Sequence, residues 1–522
     1  MSKTLLTNGR FYTMDPHRPV VEALAVANGR IAAAGALYKV KEQVGSTYKA
    51  YDLGGRAVLP SFTDAHIHLG DYALRQTQVD LSGAMTLDHA LGLMRQHADR
   101  LPGEGWIRGG GWDKNHWLQA IFPTANDLDR YVGDRPVALI SKDCHGLWVN
   151  SKAMELAGVS EDTPDVPGGR IVREGGQPTG VFLERATELI ERAIPPVGRQ
   201  ELVHALREVQ GLLHQAGITG VHVPEGPEVF RALQDLCTDE QLKLRVYMMI
   251  PSDLSDSALR LGISTGLGDE NLRLGPVKVF ADGTLSLQTA HLLEPYESRS
   301  TYTGLPVKEP QEIKELAERC ASGGLAVSIH AIGDAANRLA LDALEKSPDL
   351  AYSNRVEHAQ LVSPEDLGRF GQLNLTASMQ PAHLLTDWSV AQDHWGDRCR
   401  YAFPFRSLLE AGANLAFGSD APVEPVDPMR GLYAAVTRET SDLPVGSAWY
   451  PDEAISVEEA VRAYTLGPVI SERGRTERGA LKEGFWADMV VLSHDLIEQP
   501  ELLPDVEARA TYLGGELVYE NL

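Results

Sequence analysis

The feature that most constrains the fold is a series of short apolar segments that alternate with helical patterns. Eight of them have the length and apolar character of buried strands. They span residues 57–63, 219–223, 244–250, 277–281, 326–330, 355–358, 375–379 and 415–418. Strands alternating with helices are typical of a parallel sheet, and eight such units are typical of a closed barrel. We therefore predict an α/β fold with a (β/α)8 TIM barrel.

Both ends of the chain carry short strand patterns outside this series. The turn pairs Asn8-Gly9, Asn28-Gly29 and Gly514-Gly515 are hairpin signals between them. Neither end has enough strand for a core of its own. Residues 1–57 and 476–522 are therefore predicted to form one discontinuous β-sandwich domain.

The barrel would then span residues 58–475, with one long interruption. The stretch between the first and second strands is too long for one crossover. We predict an inserted subdomain there, at about residues 70–215. Within it, the Gly- and Trp-rich segment 106–117 is expected to be a loop element rather than core.

Composition narrows the function before any motif is considered. The 522 residues carry a net charge of −24, which disfavours binding to nucleic acid or to an anionic membrane. No segment approaches the roughly 20 apolar residues of a membrane span, and the amino end has no signal-peptide pattern. Four widely spaced cysteines favour neither a disulfide framework nor a cysteine zinc site. We expect a cytoplasmic protein with a small-molecule partner, and homo-oligomerisation stays open.

The strongest local motif is His66-Ile67-His68, which follows an apolar strand. Two histidines two apart on an extended chain point the same way and can reach one cation. The alternative is a polar strand end with two surface histidines, so the motif alone decides little.

Four further strands end on a side chain that can bind a metal. These side chains are Lys278, His330, His358 and Asp420. The carboxyl ends of the strands meet at one face of a (β/α)8 barrel, where metal and catalytic groups sit. One such histidine would more often be an ordinary core residue, but five strand ends in order favour a metal centre.

Lys278 is unusual because it lies between Val277 and Val279 in a strand. Lysine is rarely buried unpaired, so one reading pairs it with Asp282 or Glu184. The other is carboxylation by carbon dioxide, since burial favours the neutral, nucleophilic amine. The resulting anion has two oxygens that can bridge two cations.

The ordered ligand set resembles the binuclear amidohydrolase superfamily over nearly the whole chain. The segments around His330, Lys278 and His145-Gly146-Leu147-Trp148 resemble its YtcJ-like branch, which includes N-substituted formamide deformylases. The resemblance implies two divalent ions, expected to be zinc, and an N6-carboxylated Lys278 bridging them. It further implies the following ligands: His66, His68 and Asp420 on one ion, and His330 and His358 on the other.

The expected chemistry is hydrolysis of a C–N bond in a small amide, N-acyl or N-formyl compound. Two cations lower the pKa of a shared water, and one can polarise the substrate carbonyl. Asp420 is the candidate general base, which would pass the proton to the leaving nitrogen. His145 is the candidate donor to the oxyanion, with a structural role in the insertion as the alternative.

Other residues are assigned weaker roles. Candidates for substrate contact are Trp112, Asp113, Trp148, His383 and Trp388, although ordinary packing is the alternative for each tryptophan. Candidates for supporting the ligands from behind are Glu184, Asp282 and Asp334.

Three other functions stay open at this stage. A cyclic amide, such as a hydantoin or dihydropyrimidine, could be hydrolysed by the same centre. Deamination is a second alternative. A deaminase of the superfamily typically has a glutamate shortly after the histidine of the fifth strand, but here Asp334 follows His330, and the fourth strand carries Lys278. Both observations count against deamination. A metal-binding protein without turnover is disfavoured because all six ligand positions are filled.

Overall fold

A computed structural model of the protein describes most of the chain. The described residues are 3–100, 105–114, 117, 121–132, 135–141, 146–166, 169–286, 288–297, 299–345, 354–440, 443–444, 446–472 and 477–521. They divide into two compact units, Met1–Tyr72 with Leu206–Leu522, and Ala73–Ala205. No helix among them is both long enough and apolar enough to cross a membrane.

The amino-terminal segment forms strands of three sheets. Its elements are β1 (Lys3–Thr7), β2 (Arg10–Tyr12), β3 (Val20–Val21), β4 (Ala23–Ala27), β5 (Arg30–Gly35), α1 (Leu37–Val44), β6 (Lys49–Asp52), β7 (Ala57–Pro60), β8 (Phe62–Asp64) and α2 (Leu69–Gln76). The order β5-β4-β1-β6 forms one sheet. Asn28 and Gly29 have φ of 53° and 78° and form the expected hairpin between β4 and β5. Asn8-Gly9 instead connects β1 to β2 in another sheet, because a turn signal fixes a bend and not a strand's partner.

The second unit contains most of the predicted insertion. Its elements are β9 (Val79–Asp80), α3 (Leu87–Arg100), β10 (Ile107–Trp112), α4 (Ala125–Val132), β11 (Val137–Ser141), β12 (Gly146–Val149), α5 (Ser151–Leu156), β13 (Gly169–Glu174), β14 (Gln177–Glu184) and α6 (Glu188–Glu191). They build one six-stranded sheet, in the order β13-β14-β12-β11-β10-β9.

The expectation of a loop rather than core at residues 106–117 is wrong for Ile107–Trp112 and for Trp117, whereas residues 115 and 116 lie outside the described residues. β10 is an inner strand of this sheet, and Trp112 and Trp117 pack with Trp148 in its core. The glycines serve close strand packing, because a Cβ at Gly109 would lie 2.1 Å from Val79 O.

The barrel follows in the first unit. Its elements are α7 (Arg199–Gln215), β15 (Ile218–Val223), α8 (Pro227–Thr238), β16 (Arg245–Pro251), α9 (Ser255–Arg260), β17 (Leu272–Phe280), α10 (Pro310–Ser322), β18 (Val327–Ala331), α11 (Asp334–Leu344), β19 (Arg355–His358), α12 (Pro364–Gln372), β20 (Thr376–Met379), α13 (His383–Trp395), α14 (Phe405–Glu410), β21 (Asn414–Phe417), α15 (Pro428–Thr437) and α16 (Val457–Ser471). β8 and β15 to β21 form an eight-stranded parallel sheet in chain order. Ala65 N–H donates to Phe417 O at 2.9 Å and joins the two edges. The predicted α/β barrel is confirmed.

Both ends of the chain share one further sheet. The last strands are β22 (Met489–Leu492), β23 (Ala508–Leu513) and β24 (Glu516–Glu520), and the sheet order is β24-β23-β22-β7-β2-β3. Val490 of β22 pairs with Leu59 of β7, and side chains from both ends fill one core, including Phe11, Val58 and Met489. The discontinuous β-domain of the predicted fold is therefore present.

The segment predicted as the first barrel strand, 57–63, is divided between two sheets. β7 belongs to the terminal sheet and β8 to the barrel. The change occurs at Ser61, whose N–H donates to Asp488 O, whereas the next N–H, of Phe62, donates to Gly217 O. The whole run is buried, so its apolar pattern did not reveal the change of partner.

Candidate metal centre

The structure brings the six predicted ligands together at one end of the barrel. Each lies at or just beyond the carboxyl end of a strand, as follows: His66 and His68 after β8, Lys278 in β17, His330 in β18, His358 in β19 and Asp420 after β21. All six line one cavity of about 220 Å³. Parallel strands place these residues side by side although they are hundreds of positions apart in sequence.

The side chains approach one another closely. Asp420 Oδ1 lies 3.6 Å from His66 Nε2 and 3.3 Å from His68 Nε2. The ring centroids of His330 and His358 are 4.5 Å apart, and those of His66 and His358 are 5.2 Å apart. Ligand atoms of His66, His68 and Asp420 all lie within 4.8 Å of one another, close enough to share one cation.

Three of the histidines are held by their Nδ1 atoms. His66 Nδ1 donates to Glu357 Oε2 at 2.5 Å, and His358 Nδ1 donates to Gln380 Oε1 at 2.7 Å. His330 Nδ1 lies 3.2 Å from Asp282 Oδ1. Because carboxylate and amide oxygens only accept, the proton is on Nδ1 and the Nε2 lone pair is free to bind a metal. Burial lowers the pKa of His66 to about 4 and that of His358 as well, so both rings are neutral near pH 7.

Behind His66, Glu357 is the centre of a buried polar network. Its carboxylate accepts from Ser328 Oγ and from Arg355 Nε, each at 2.5 Å, and from Arg355 Nη2 at 3.0 Å. Glu357 and Arg355 are both fully buried. Burial alone would raise the pKa of Glu357, but Arg355 and His66 hold it well below its usual range. An ionised Glu357 thus fixes the tautomer of His66.

The network continues down the barrel interior from Arg355. Arg355 Nη1 donates to His222 Nδ1 at 2.7 Å, and His222 Nε2 donates to Glu472 Oε1 at 2.9 Å. Arg478 in turn donates to Glu472. Burial lowers the pKa of His222 to about 4, so a neutral ring connects the two carboxylate–guanidinium pairs.

The Asp420 loop is held against the His66 loop by Asp64. Asp64 accepts from Ser419 Oγ at 2.5 Å, from Ser419 N at 3.0 Å and from His66 N at 3.1 Å. A Cβ at Gly418 would lie 2.5 Å from His66 N, so only glycine fits this close approach. His358 and Asp420 have φ of 72° and 58°, and strained backbone at non-glycine residues is common at functional sites.

Lys278 is buried and has no hydrogen-bond partner for Nζ in the described part of the chain. Asp282 is used elsewhere, since it accepts from Ile332 N and Gly333 N and contacts His330. The pairing of Lys278 with Asp282 is therefore not confirmed. The pairing with Glu184 stays a prediction, because the Glu184 side chain lies outside the described residues. Burial lowers the pKa of Lys278 to about 8.

The donor set fits a divalent cation. Asp420 Oδ1 and Lys278 Nζ are both buried without hydrogen-bond partners, and they face the cavity that the histidines line. Burial alone would raise the pKa of Asp420, but the close approach of His68 and of the other nearby imidazoles lowers it strongly. An ionised carboxylate beside imidazole nitrogens is a typical ligand set for a divalent metal.

The remaining wall of the cavity includes one more histidine and two more carboxylates. His383, the first residue of α13, has Nε2 3.7 Å from Asp420 Oδ2. Asp387 lies one turn further along α13, and Glu424 follows the Asp420 loop. All three line the cavity together with apolar side chains such as Phe280 and Ile332.

The other predicted site residues lie elsewhere. Trp112 and Trp148 are buried in the core of the second unit, where their Nε1 atoms donate to Leu139 O and Thr124 O, so the structure gives no support to a substrate contact by them. Asp113 is in the same unit, and Trp388 is half-buried on α13 but does not line the cavity. Asp334 accepts from Leu293 N and so holds a nearby loop. His145 lies outside the described residues.

Sequence reasoning missed several residues that position the ligands: Asp64, Arg355, Glu357 and Gln380. One signal was available, because Arg355 and Glu357 stand in a four-residue strand that was already expected to be buried. Two charged residues in a buried strand must be paired or functional. Nothing in the sequence pattern pointed to Asp387 or Glu424.

Comparisons with known proteins find relatives over nearly the whole chain. The model of a family described as "Amidohydrolase family" matches residues 49–519. The putative amidohydrolase YtcJ of Bacillus subtilis is 33% identical over 99% of this chain and 100% of its own. The N-substituted formamide deformylase of Arthrobacter pascens is 28% identical over 100% of this chain and 99% of its own. The crystal structure of an uncharacterized metal-dependent hydrolase from Pyrococcus furiosus is 31% identical and superposes with a TM-score of 0.79, covering 95% of this chain and 100% of that one.

Proposed function

Because the chain belongs to the amidohydrolase family, we propose that this metal-dependent hydrolase cleaves the C–N bond of a small amide, N-acyl or N-formyl compound. The observation that carries the proposal is the convergence of His66, His68, Lys278, His330, His358 and Asp420 on one cavity. The likeness to a formamide deformylase over the full chain supports a C–N bond as the target.

The cavity offers ligands for two cations. In this proposal His66, His68 and Asp420 would hold one cation, His330 and His358 would hold the other, and Lys278 would contribute to both. Zinc would suit this set of nitrogen and oxygen donors. Two divalent cations bound there would supply Lewis acidity toward a carbonyl and would lower the pKa of a water molecule.

Carboxylation of Lys278 would supply the bridging anion. The neutral amine attacks the carbon of CO2, a new N–C bond forms, and one proton leaves to solvent. The lowered pKa of Lys278, about 8, makes the neutral amine accessible near physiological pH. The unpartnered Nζ has no competing hydrogen bond among the described residues.

The surroundings of Asp420 support a role in proton transfer. Its pKa is strongly lowered, its Oδ1 lies 3.6 Å from His66 Nε2 and 3.3 Å from His68 Nε2, and this oxygen has no hydrogen-bond partner in the described structure. In the proposed reaction Asp420 accepts a proton from the attacking water and delivers it to the leaving nitrogen. His145 remains our sequence-based candidate for a donor to the oxyanion.

The test is an amide panel assayed with full-length protein. Protein prepared with zinc and bicarbonate would be offered N-formyl and N-acetyl amines, and a hydantoin and a dihydropyrimidine as cyclic amides. We expect release of free amine from the acyclic compounds, and loss of turnover after treatment with a chelator. Turnover confined to the cyclic amides, or turnover that survives metal removal, would contradict the proposal.

A further inference from the structure

The cavity has an uneven distribution of charge. Among the described residues that line it, Lys278 is the only lysine or arginine. Beyond the ligands, the lining includes the carboxylates of Asp387 and Glu424. Both belong to the side of the cavity formed by α13 and the segment after β21.

The two carboxylates differ in how well they are paired. Glu424 is buried, accepts from Thr386 Oγ1 at 2.7 Å and lies 3.4 Å from Arg430 Nη2, so its charge is partly balanced. Among the described residues, the side chain of Asp387 accepts from the neutral amide of Gln360, at 3.0 Å. Burial raises the pKa of Asp387, and the nearby His383 and the Gln360 amide offset part of this increase. No described lysine or arginine forms an ion pair with Asp387.

The same cavity also contains two buried polar atoms without hydrogen-bond partners among the described residues. Lys278 is 4% exposed and Asp420 is 7% exposed, and each directs an unpartnered polar atom into it. These two atoms belong to the part of the cavity where the scissile bond would be cleaved in the proposed function. His383 is close to Asp420, and Asp387 follows His383 after one helical turn, about 6 Å along the axis. A small substrate can therefore reach both that part of the cavity and Asp387.

We propose that the preferred substrate carries a cationic nitrogen, such as a primary ammonium, which binds Asp387 while the scissile amide lies at the metal centre. This rests on the proposed function and adds the substrate class. A carboxylate without a lysine or arginine partner gains a charge-assisted hydrogen bond when an ammonium group arrives. A substrate with a carboxylate tail would be repelled by Asp387 and by Glu424 nearby, which disfavours N-acyl amino acids.

The competing explanation is that Asp387 only orients His383, four residues before it on α13. In that case its loss would affect every substrate by the same factor. The cation-binding explanation instead predicts an effect on the choice between substrates, so selectivity is the decisive readout.

The experiment compares three N-formyl compounds with equal chain length and different tails. They are N-formyl-1,4-diaminobutane with an ammonium, N-formylpentylamine with a methyl, and N-formyl-5-aminopentanoate with a carboxylate. Full-length wild type, Asp387→Asn and Asp393→Asn would be assayed with metal. Asp393 is an exposed carboxylate on the same helix and provides the matched control.

We expect wild type to prefer the ammonium tail over the methyl tail by roughly ten- to hundredfold in kcat/KM. The ratio should fall to within about threefold of one in Asp387→Asn and stay unchanged in Asp393→Asn. If Asp387→Asn does not fold, Glu424→Gln should still lower the ratio by about two- to threefold.

Two results would overturn the proposal: a wild-type ratio near one, or an equal loss for all three tails in Asp387→Asn. If no amide is hydrolysed at all, the proposed function fails. The affinity of the protein for 1,4-diaminobutane, measured by calorimetry, then tests directly whether Asp387 binds an ammonium group. At least tenfold weaker binding to Asp387→Asn than to wild type would support it, and equal binding would refute it.

Discussion

Replacing Glu357 by glutamine tests whether the buried network beneath the metal centre positions His66. The change keeps the size of the side chain and removes its charge. Glu357 accepts hydrogen bonds from His66, Ser328 and Arg355, and all of these groups are buried. Glutamine can accept at one oxygen only, and its amide group would face groups that are themselves donors.

The expected cost follows from what Arg355 retains. Removing one partner of a buried ion pair costs about 3–5 kcal/mol. Arg355 would keep its hydrogen bonds to Ala65 O at 2.6 Å, Ser378 Oγ at 2.5 Å and His222 Nδ1 at 2.7 Å. We therefore expect the lower end, about 3 kcal/mol, or a fall in Tm of about 3–5 °C for a unit of this size. Since His66 would lose its fixed tautomer, metal affinity should fall by about 10–100-fold.

The measurements are thermal unfolding of metal-free protein at a fixed scan rate and zinc binding by competition with a chelator. Glu365→Gln is the matched control, because Glu365 forms an exposed ion pair with Arg338 and such pairs contribute about 0–1 kcal/mol.

The pKa of Glu357 lies well below its usual value. Its stabilising effect is thus complete above its ordinary pKa, about 4.3, and is lost only as the pH falls further. The difference in Tm between Glu357→Gln and wild type should not change between about pH 6 and 8.

A Glu357→Gln variant that unfolds with the wild-type Tm and binds zinc with the wild-type affinity would refute this reasoning. A loss of stability with unchanged metal affinity would restrict Glu357 to a structural role.

Three further predictions concern the centre and the fold. Lys278→Ala should lose metal together with activity, and short carboxylic acids should restore part of both. Elemental analysis of wild type should find two metal ions per chain. A Lys278→Ala variant that keeps its full metal content and normal turnover would exclude a bridging Lys278. Asp420→Asn should fold and keep most of its metal but lose about 10²–10⁴-fold in kcat, so activity within about tenfold of wild type would move the proton transfer elsewhere. Deleting residues 476–522 should give insoluble protein, because the cut exposes the edge of β7 and removes Met489 and Val491 from the shared core; a soluble, active truncation would contradict that pairing.

Much of the architecture was accessible from the sequence because local patterns report burial and chain direction. The eight apolar segments predicted the barrel, and parallel strands necessarily bring their carboxyl ends to one face. That rule placed His66, Lys278 and Asp420 together without any knowledge of distances. The pattern could not show that the segment 57–63 changes sheet at Ser61, since a fully buried strand looks alike in either sheet.

Only the tertiary structure decided how the ligands are held and what else faces the substrate. Glu357 lies next to His66, and Gln380 next to His358, through contacts between strands that no local periodicity encodes. Likewise, no local pattern showed that Trp148 packs in the hydrophobic core of the second unit. Sequence patterns record whether a side chain is buried, but the partner of a buried polar group depends on which strands are neighbours. The sequence therefore indicated the candidate ligands by their positions at strand ends, whereas their tautomers, and the exposure of Asp387 to the cavity, follow from the packing of the barrel.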